Sequence, residues 1–173
     1  MAKKFYFIIL IIFINSSAHS AEKNDIRVGL GVSMFSSGAG KEVNQYGIYG
    51  VKSLHRIGFI APYFNLMLKI NGSAGNVRVE KKNALFFSVG PSIELSMYEY
   101  FLNVGINPIL ISKYDFYNIH LGGPLQFVVY AEIDFPIISN FSIGFRTQHI
   151  SNADIYPENH GFNTYMLLLN CSI

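Results

Sequence analysis

The sequence predicts an all-β fold, an eight-stranded antiparallel transmembrane β-barrel. Hydrophobic residues make up 50% of the chain and aromatic residues 15%, whereas only 14% are charged. After residue 20, no apolar stretch reaches the roughly 20 residues that a membrane-spanning helix needs. The apolar residues fall instead in segments of about ten residues separated by turn-forming residues, which is typical of a transmembrane barrel. A soluble β-sandwich or a lipocalin-like barrel is the alternative, because period-two alternation alone does not exclude it.

The N-terminal segment has the features of a secretory signal peptide. Two lysines precede an unbroken apolar run over residues 5–14, and small polar residues follow it. The run is about half as long as a spanning helix requires, and Ala18 and Ser20 are small residues of the kind that a signal peptidase reads. We therefore expect a signal peptide, 1–20, and an outer-membrane barrel domain, 21–173, in a bacterial outer membrane.

The charge of the mature part argues against nucleic-acid binding. The chain has 13 basic and 11 acidic residues, and two of the basic ones lie in the predicted signal peptide. The mature part is therefore close to neutral and lacks the basic footprint of a nucleic-acid-binding protein. Its single cysteine, Cys171, cannot form an internal disulfide. Closure of a barrel in lipid would hold such a fold together without one.

Eight segments along the mature chain alternate between apolar and polar residues. The predicted strands are Asp25–Phe35, Gln45–Ser53, Ile57–Ile70, Leu85–Met97, Phe101–Ile111, Gly122–Asp134, Phe141–Ser151 and Phe162–Ile173. Long polar connections are expected at 36–44, 71–84, 112–121 and 152–161, and short ones at 54–56, 98–100 and 135–140. Transmembrane barrels have long extracellular loops and short periplasmic turns, so the seventh strand is expected to run outward.

Alternation in the seventh strand separates a lipid face from a lumenal face. One face carries Ile143, Phe145, Thr147, His149 and Ser151, and the other carries Ser142, Gly144, Arg146, Gln148 and Ile150. Arginine and glutamine belong in the polar interior of a barrel, so the face with His149 and Ser151 is expected to meet lipid. In the last strand, the same reasoning places Tyr165 and Leu167 outside and Met166 inside.

His149 and Ser151 are the candidate catalytic pair. Two residues apart on a strand, they point to the same side of the sheet. A serine hydroxyl is a weak nucleophile until a base such as a neutral imidazole takes its proton. Spacing alone is a weak signal, because two polar residues near a strand end are also common at a membrane interface. The G-x-S-x-G, P-loop and H-E-x-x-H patterns are absent, which argues against a standard soluble hydrolase and a zinc protease. No cofactor or metal is expected, because a serine–histidine mechanism requires neither.

The stretch from His149 to Ala153, together with Asn159 to Gly161, resembles the H-x-S-N and N-x-G pattern of the lipid A 3-O-deacylases. The resemblance implies an outer-membrane β-barrel serine esterase. Its substrate would be lipid A of lipopolysaccharide, from which it removes the ester-linked acyl chain at position 3. It further implies that His149 is the general base and Ser151 the nucleophile. Asn152 and Asn159 would shape the site or bind the oxyanion.

One position departs from that family pattern. An acid begins the last strand in the family and orients the histidine, whereas this chain has Asn163 at the corresponding position. An asparagine can accept the histidine N–H and set its tautomer, but it cannot stabilise imidazolium as a carboxylate does. Asn163 is the preferred orienting residue, with Glu158 and then Asp154 in the adjoining loop as alternative acids.

Two other functions compete with catalysis. The chain could be a non-catalytic structural or adhesive barrel, which would gain support if no side chain of the last strand approached His149. A pore is disfavoured, because eight strands leave an interior that side chains just fill. The sequence leaves open whether the protein forms a homodimer.

Overall fold

The computed structural model describes residues 26–37, 42–61, 64–98, 100–117 and 119–173. The predicted signal peptide, 1–20, and its cleavage site lie outside the described residues. No helix in the described part of the chain has the length and apolar character needed to cross a membrane.

Eight strands close into one antiparallel barrel, as the sequence predicts. A short hairpin of two further strands lies between β5 and β8. The strands are β1 Ile26–Ser37, β2 Val43–Ala61, β3 Phe64–Val79, β4 Lys82–Met97, β5 Tyr100–Ile111, β6 Asp115–Phe116, β7 Ile119–His120, β8 Leu125–Ile138, β9 Phe141–Ser151 and β10 Phe162–Ser172. Around the barrel the order is β1-β10-β9-β8-β5-β4-β3-β2, so the first and last strands pair.

Burial follows the predicted alternation in β9 and β10. In β9 every even-numbered residue from 142 to 150 is buried, and in β10 the even-numbered residues from 162 to 170 are buried. The outward wall is apolar, with Leu30 and Leu85 both 65% exposed. Such an apolar outer face is the surface that a transmembrane barrel presents to lipid.

The predicted loop at 71–84 was wrong. The structure continues β3 to Val79 and starts β4 at Lys82, leaving a two-residue turn. The glycines and asparagines that suggested a loop are strand residues, and Gly75 pairs directly with Gly47 of β2. A Cβ on Gly75 would lie 2.6 Å from the Gly47 Cα and 3.0 Å from the Phe86 ring. Glycine is therefore needed here for close approach and does not mark a turn.

The predicted turn at 54–56 was also wrong. The structure carries β2 through this segment to Ala61, with register irregularities in the pairing to β3 near Ser53, Arg56 and Phe59. Bulges bend a strand without ending it, and their polar residues produced the false turn signal. The chain reverses later, between Ala61 and Phe64, which face each other across β2 and β3.

The lumen is packed in two layers. Here the loop end of the barrel denotes the end where β9 finishes and β10 begins. Apolar side chains fill the lumen near the loop end, including Val43, Val79, Ile111, Phe116, Ile119, Leu121, Ile150 and Phe162. Below them lies an ionic layer of three cations and three anions: Arg27, Lys69, Arg146, Glu94, Glu132 and Asp134. These groups balance in charge.

The ionic layer is paired across the barrel. Arg27 donates to Asp134 over 2.9 Å and also binds Glu94. Lys69 Nζ lies 2.6 Å from the other Glu94 oxygen. Arg146 Nε donates to Glu132 Oε2 over 2.6 Å. Buried charges are tolerated when they are paired in this way. The bonds of Arg27 to Glu94 and Asp134 join β1 to the non-adjacent strands β4 and β8, whereas the other two pairs join neighbouring strands.

Glu132→Ala is expected to destabilise the barrel by about 3–5 kcal/mol, because it leaves the buried Arg146 without its carboxylate. Urea unfolding of the refolded protein in detergent micelles measures the loss. Thr147→Ala, on the outward side of the neighbouring strand, is the matched control and should change stability by less than about 0.5 kcal/mol. The double variant Glu132→Met/Arg146→Met should recover much of the loss. Equal stability of Glu132→Ala and the parent would contradict this account.

Candidate active site

Three polar side chains converge on the outward wall at the loop end of β9 and β10. His149 and Ser151 come from β9, and Asn163 stands directly opposite His149 on β10. His149 Nδ1 and Asn163 Oδ1 are 2.9 Å apart, within hydrogen-bond distance. The structure thus brings together the three residues that the sequence analysis selected.

The outward direction of these side chains follows from the burial of their neighbours. Ile150, between His149 and Ser151, and Phe162, beside Asn163, are both 0% exposed. They face each other across β9 and β10 and anchor the apolar layer of the lumen. Because strand residues alternate between faces, burying these two turns the site residues outward.

A buried glutamine of β2, Gln45, binds the same two strands from inside the lumen. Gln148 Nε2 donates to Gln45 Oε1 over 2.8 Å, and the Thr164 hydroxyl lies 3.4 Å from the same oxygen. Gln45 in turn donates to the Tyr49 hydroxyl over 3.1 Å. Gln148 and Thr164 adjoin His149 and Asn163 in sequence, so the wall behind the site is held by buried hydrogen bonds.

The bond between His149 and Asn163 selects one imidazole tautomer. An amide oxygen is only an acceptor, so His149 carries its proton on Nδ1 and donates it to Asn163 Oδ1. Nε2 then presents its lone pair, as a general base requires. Among the described residues, the Ser151 hydroxyl has no hydrogen-bond partner. Catalytic hydrogen bonds are often long in unliganded enzymes and tighten when substrate binds.

A tight turn follows Ser151. Ile155 N donates to Asn152 O over 3.1 Å, and the two central residues, Ala153 and Asp154, have φ angles of 51° and 61°. Left-handed conformations cost non-glycine residues about 1–2 kcal/mol each, so other contacts must hold this turn. The Asn152 N–H donates to Asn159 Oδ1 over 3.0 Å, and Asn159 Nδ2 donates to Asp154 Oδ1 over 2.8 Å.

The Asn152 side chain fastens the loop to the barrel. It is fully buried, and its Nδ2 donates to Leu121 O over 2.9 Å and to Glu158 O over 2.5 Å. The Tyr156 ring packs against Gly123, where a Cβ would lie 2.3 Å from the ring. The connection between β5 and β8 therefore supports the loop that follows the serine.

Neither alternative acid contacts His149. The Asp154 carboxylate accepts from Asn159, and Glu158, whose side chain is exposed, contributes its backbone oxygen to Asn152. Asn163 alone among the three candidate orienting residues is hydrogen-bonded to the imidazole within the described residues.

Gly161 is a further residue of the site, to which the sequence analysis gave no chemical role. A Cβ at this position would lie 2.9 Å from His149 Cε1, 2.9 Å from Ile150 O and 3.0 Å from Ser151 Cβ. The backbone of Gly161 thus occupies the space beside both candidate catalytic side chains. Only a residue without a side chain fits there.

A pair of histidines, His120 and His160, lies at the same end of the barrel. The rings of His120 and His160 have centroids 5.6 Å apart, and His120 Nδ1 lies 2.7 Å from Asp115 Oδ1. His160 N donates to His120 O over 3.0 Å, so the pair joins the two loops. Within the described ranges, no group of three or more histidine, cysteine or acidic side chains is arranged to hold a metal ion.

A closed barrel that carries a serine, a histidine and a hydrogen-bonded carboxamide together on its outward wall is the arrangement expected of a membrane-embedded barrel esterase. Comparison with known families narrows the class. The chain belongs to the lipid A 3-O-deacylase (PagL) family, whose sequence profile matches residues 45–172. It is an outer-membrane enzyme that hydrolyses the acyl ester of lipid A.

Solved structures support the fold. The crystal structure of the outer membrane enzyme PagL is similar with a TM-score of 0.70 and 19% identity, over 86% of this chain and 99% of that chain. Neisserial surface protein A is similar with a TM-score of 0.53 and 8% identity, over 90% of this chain and 100% of that chain. No curated protein sequence matches the chain.

Gly161→Ala is expected to lower deacylase activity by about 100-fold while leaving the barrel folded, because the new methyl group displaces the His149 ring or the Ser151 side chain. Lipid A hydrolysis by the purified variant in detergent measures the effect. Gly58→Ala is the matched control, since a Cβ there meets nothing within 4 Å. Parental activity in folded Gly161→Ala would show that the close contact is unimportant.

Proposed function

We propose that His149, Ser151 and Asn163 form the catalytic triad with which this enzyme removes the acyl chain at position 3 of lipid A. The observation that supports this most is the 2.9 Å contact between His149 Nδ1 and Asn163 Oδ1. It gives His149 an oriented imidazole two residues from a serine on the same face of β9.

The reaction proceeds by nucleophilic catalysis. His149 Nε2 takes the Ser151 proton as the hydroxyl attacks the ester carbonyl, and a tetrahedral intermediate forms. The imidazolium then gives this proton to the leaving sugar oxygen, and the acyl chain remains on Ser151. Water, activated by the same imidazole, attacks the acyl-enzyme, which releases a 3-hydroxy fatty acid and restores the serine.

Asn152 and Asn159 have different parts in this site. Both Nδ2 contacts of Asn152 go to backbone oxygens, so Asn152 shapes the site from within. The Asn159 carboxamide is half-buried at the surface of the loop. Its Nδ2 is the side-chain donor that we assign to the oxyanion, for which it exchanges its bond to Asp154.

The position of the triad suits a lipid substrate. It lies on the outward wall, at the end of the barrel with the long connections at 112–124 and 152–161. Long connections are extracellular in outer-membrane barrels, and this supports a position of the proposed triad at the outer leaflet. There the enzyme reaches an acyl ester without extracting the lipid from the membrane. We also propose that residues 1–20 are an export signal that is cleaved. The proposed mechanism takes place within one copy of the chain.

Ser151→Ala is expected to abolish deacylation. Lipid A from cells that express the parent should lose one hydroxyacyl chain in mass spectra, whereas cells that express the variant should retain it. Removing the nucleophile of a triad lowers kcat by several orders of magnitude. Ser139→Ala, at an exposed turn at the opposite end of the barrel, is the control and should match the parent. Deacylation by the folded Ser151→Ala variant would refute the assignment of the nucleophile.

Asn163→Asp is expected to raise kcat, because a carboxylate keeps the orienting bond and also stabilises the imidazolium. For the same reason, the acidic limb of the pH–rate profile should move to higher pH. Asn163→Leu should lower kcat by about 10²–10⁴-fold.

Glu158→Gln and Asp154→Asn test the alternative acids. A large loss in either of these two, with Asn163→Leu active, would move the orienting role to the loop.

The non-catalytic barrel is the weaker candidate. A non-catalytic barrel would gain support if no side chain of the last strand approached His149. Asn163 of the last strand lies within hydrogen-bond distance of the His149 ring. The likeness to Neisserial surface protein A concerns the fold alone, at 8% identity.

A further inference from the structure

The Asn163 carboxamide has a second partner on its other side. Its Nδ2 lies 3.5 Å from the Ser37 hydroxyl oxygen, and Ser37 faces Asn163 across β1 and β10. Asn163 in turn faces His149 across β10 and β9. The three side chains form a row across neighbouring strands, in which the amide nitrogen meets Ser37 and the amide oxygen meets the imidazole.

The orientation of this amide decides whether His149 can act as a base. If the amide turned over, its nitrogen would donate to Nδ1 and force the proton onto Nε2, which could then no longer accept the serine proton. Such a wrong tautomer is the reason why an asparagine in place of the aspartate of a serine protease triad costs about 10⁴-fold in kcat. A carboxylate has two acceptor oxygens and lacks this problem.

A β-bulge in β1 puts Ser37 in reach. From Arg27 to Gly31 the odd-numbered residues of β1 are buried, so unbroken alternation would turn residue 37 inward. The pairing of β1 with β10 shifts by one residue between Ser33 and Phe35. Beyond the bulge, Phe35 and Ser37 are exposed on the outward wall. Bulges are frequent beside active sites, where they redirect a side chain.

An aromatic pair holds the shifted register. The rings of Phe35 and Tyr165 stack with centroids 4.4 Å apart and an interplanar angle of 20°. They lie across β1 and β10, two residues along each strand from Ser37 and Asn163. The stack thus fixes the segment of β1 that carries the serine.

We propose that Ser37 is a positioning residue for the deacylase, whose hydroxyl holds the Asn163 amide with its oxygen toward His149. The inference rests on the proposed triad and adds a fourth group to it. An asparagine has one acceptor oxygen and therefore one productive orientation toward His149, and in that orientation the Ser37 hydroxyl oxygen accepts a hydrogen bond from Asn163 Nδ2. It acts on kcat through the tautomer and does not touch the substrate.

The experiment compares Ser37→Ala in the parent and in the Asn163→Asp variant. In the parent, kcat should fall about tenfold at unchanged KM, the effect of losing one orienting hydrogen bond. In the Asn163→Asp background, Ser37→Ala should have no effect, because either carboxylate oxygen can accept the imidazole proton. Ser37→Thr and Ser37→Val form a matched pair of similar shape: the threonine should retain activity and the valine should lose it.

The outcomes separate this inference from the proposed function. Parental kcat in Ser37→Ala and in Ser37→Val would overturn the role of Ser37 while leaving the triad intact. An equal fall in the parent and in the Asn163→Asp background would show a merely structural role and also overturn it. A parent without deacylase activity, or an active Ser151→Ala, would instead refute the proposed triad, and the positioning role with it.

Discussion

Closure of the barrel between β1 and β10 is the constraint on which the structure depends. In a lipid environment every backbone N–H and C=O must find a partner within the protein, and a closed antiparallel sheet satisfies all of its strands. The same closure places β1, β10 and β9 side by side. Ser37, which is far from Asn163 and His149 in sequence, thereby joins them in one row. The bond pattern that stabilises the fold also assembles the site.

The packed lumen makes the outward wall rigid enough for chemistry. Paired charges cross-link the strands in one layer, and apolar side chains fill the layer behind the site. Gln45 joins the two strands that carry the proposed triad by binding Gln148 and Thr164 from inside. A catalytic group must be held near its productive geometry, and these bonds support the proposed triad from the lumenal side, which leaves the lipid side open to substrate.

The neutral orienter fits its surroundings at a cost to catalysis. A carboxylate on a lipid-facing wall is expensive to desolvate, whereas a carboxamide carries no net charge. In the proposed triad, Asn163 avoids that penalty but gives less stabilisation than a carboxylate to the imidazolium that forms in the reaction. It also has two chemically different faces, so its orientation depends on neighbours in a way that an acid would not. We propose that the contact between Asn163 Nδ2 and the Ser37 hydroxyl helps to hold the amide in its productive orientation.

The sequence by itself determined the class of fold and the alternation in β9 and β10, and it supplied the three residues of the proposed triad, because period-two patterning and the motif around His149 and Ser151 are local signals. It misplaced the hairpin of β3 and β4, because glycines such as Gly75 suggested a loop. In the structure, Gly75 is a strand residue that allows close approach to Gly47. It could not reveal Ser37, which simple alternation turns inward. Only the tertiary structure decided this, because a bulge between Ser33 and Phe35 changes the side of the sheet on which the serine lies, and bulges depend on pairing with a distant strand.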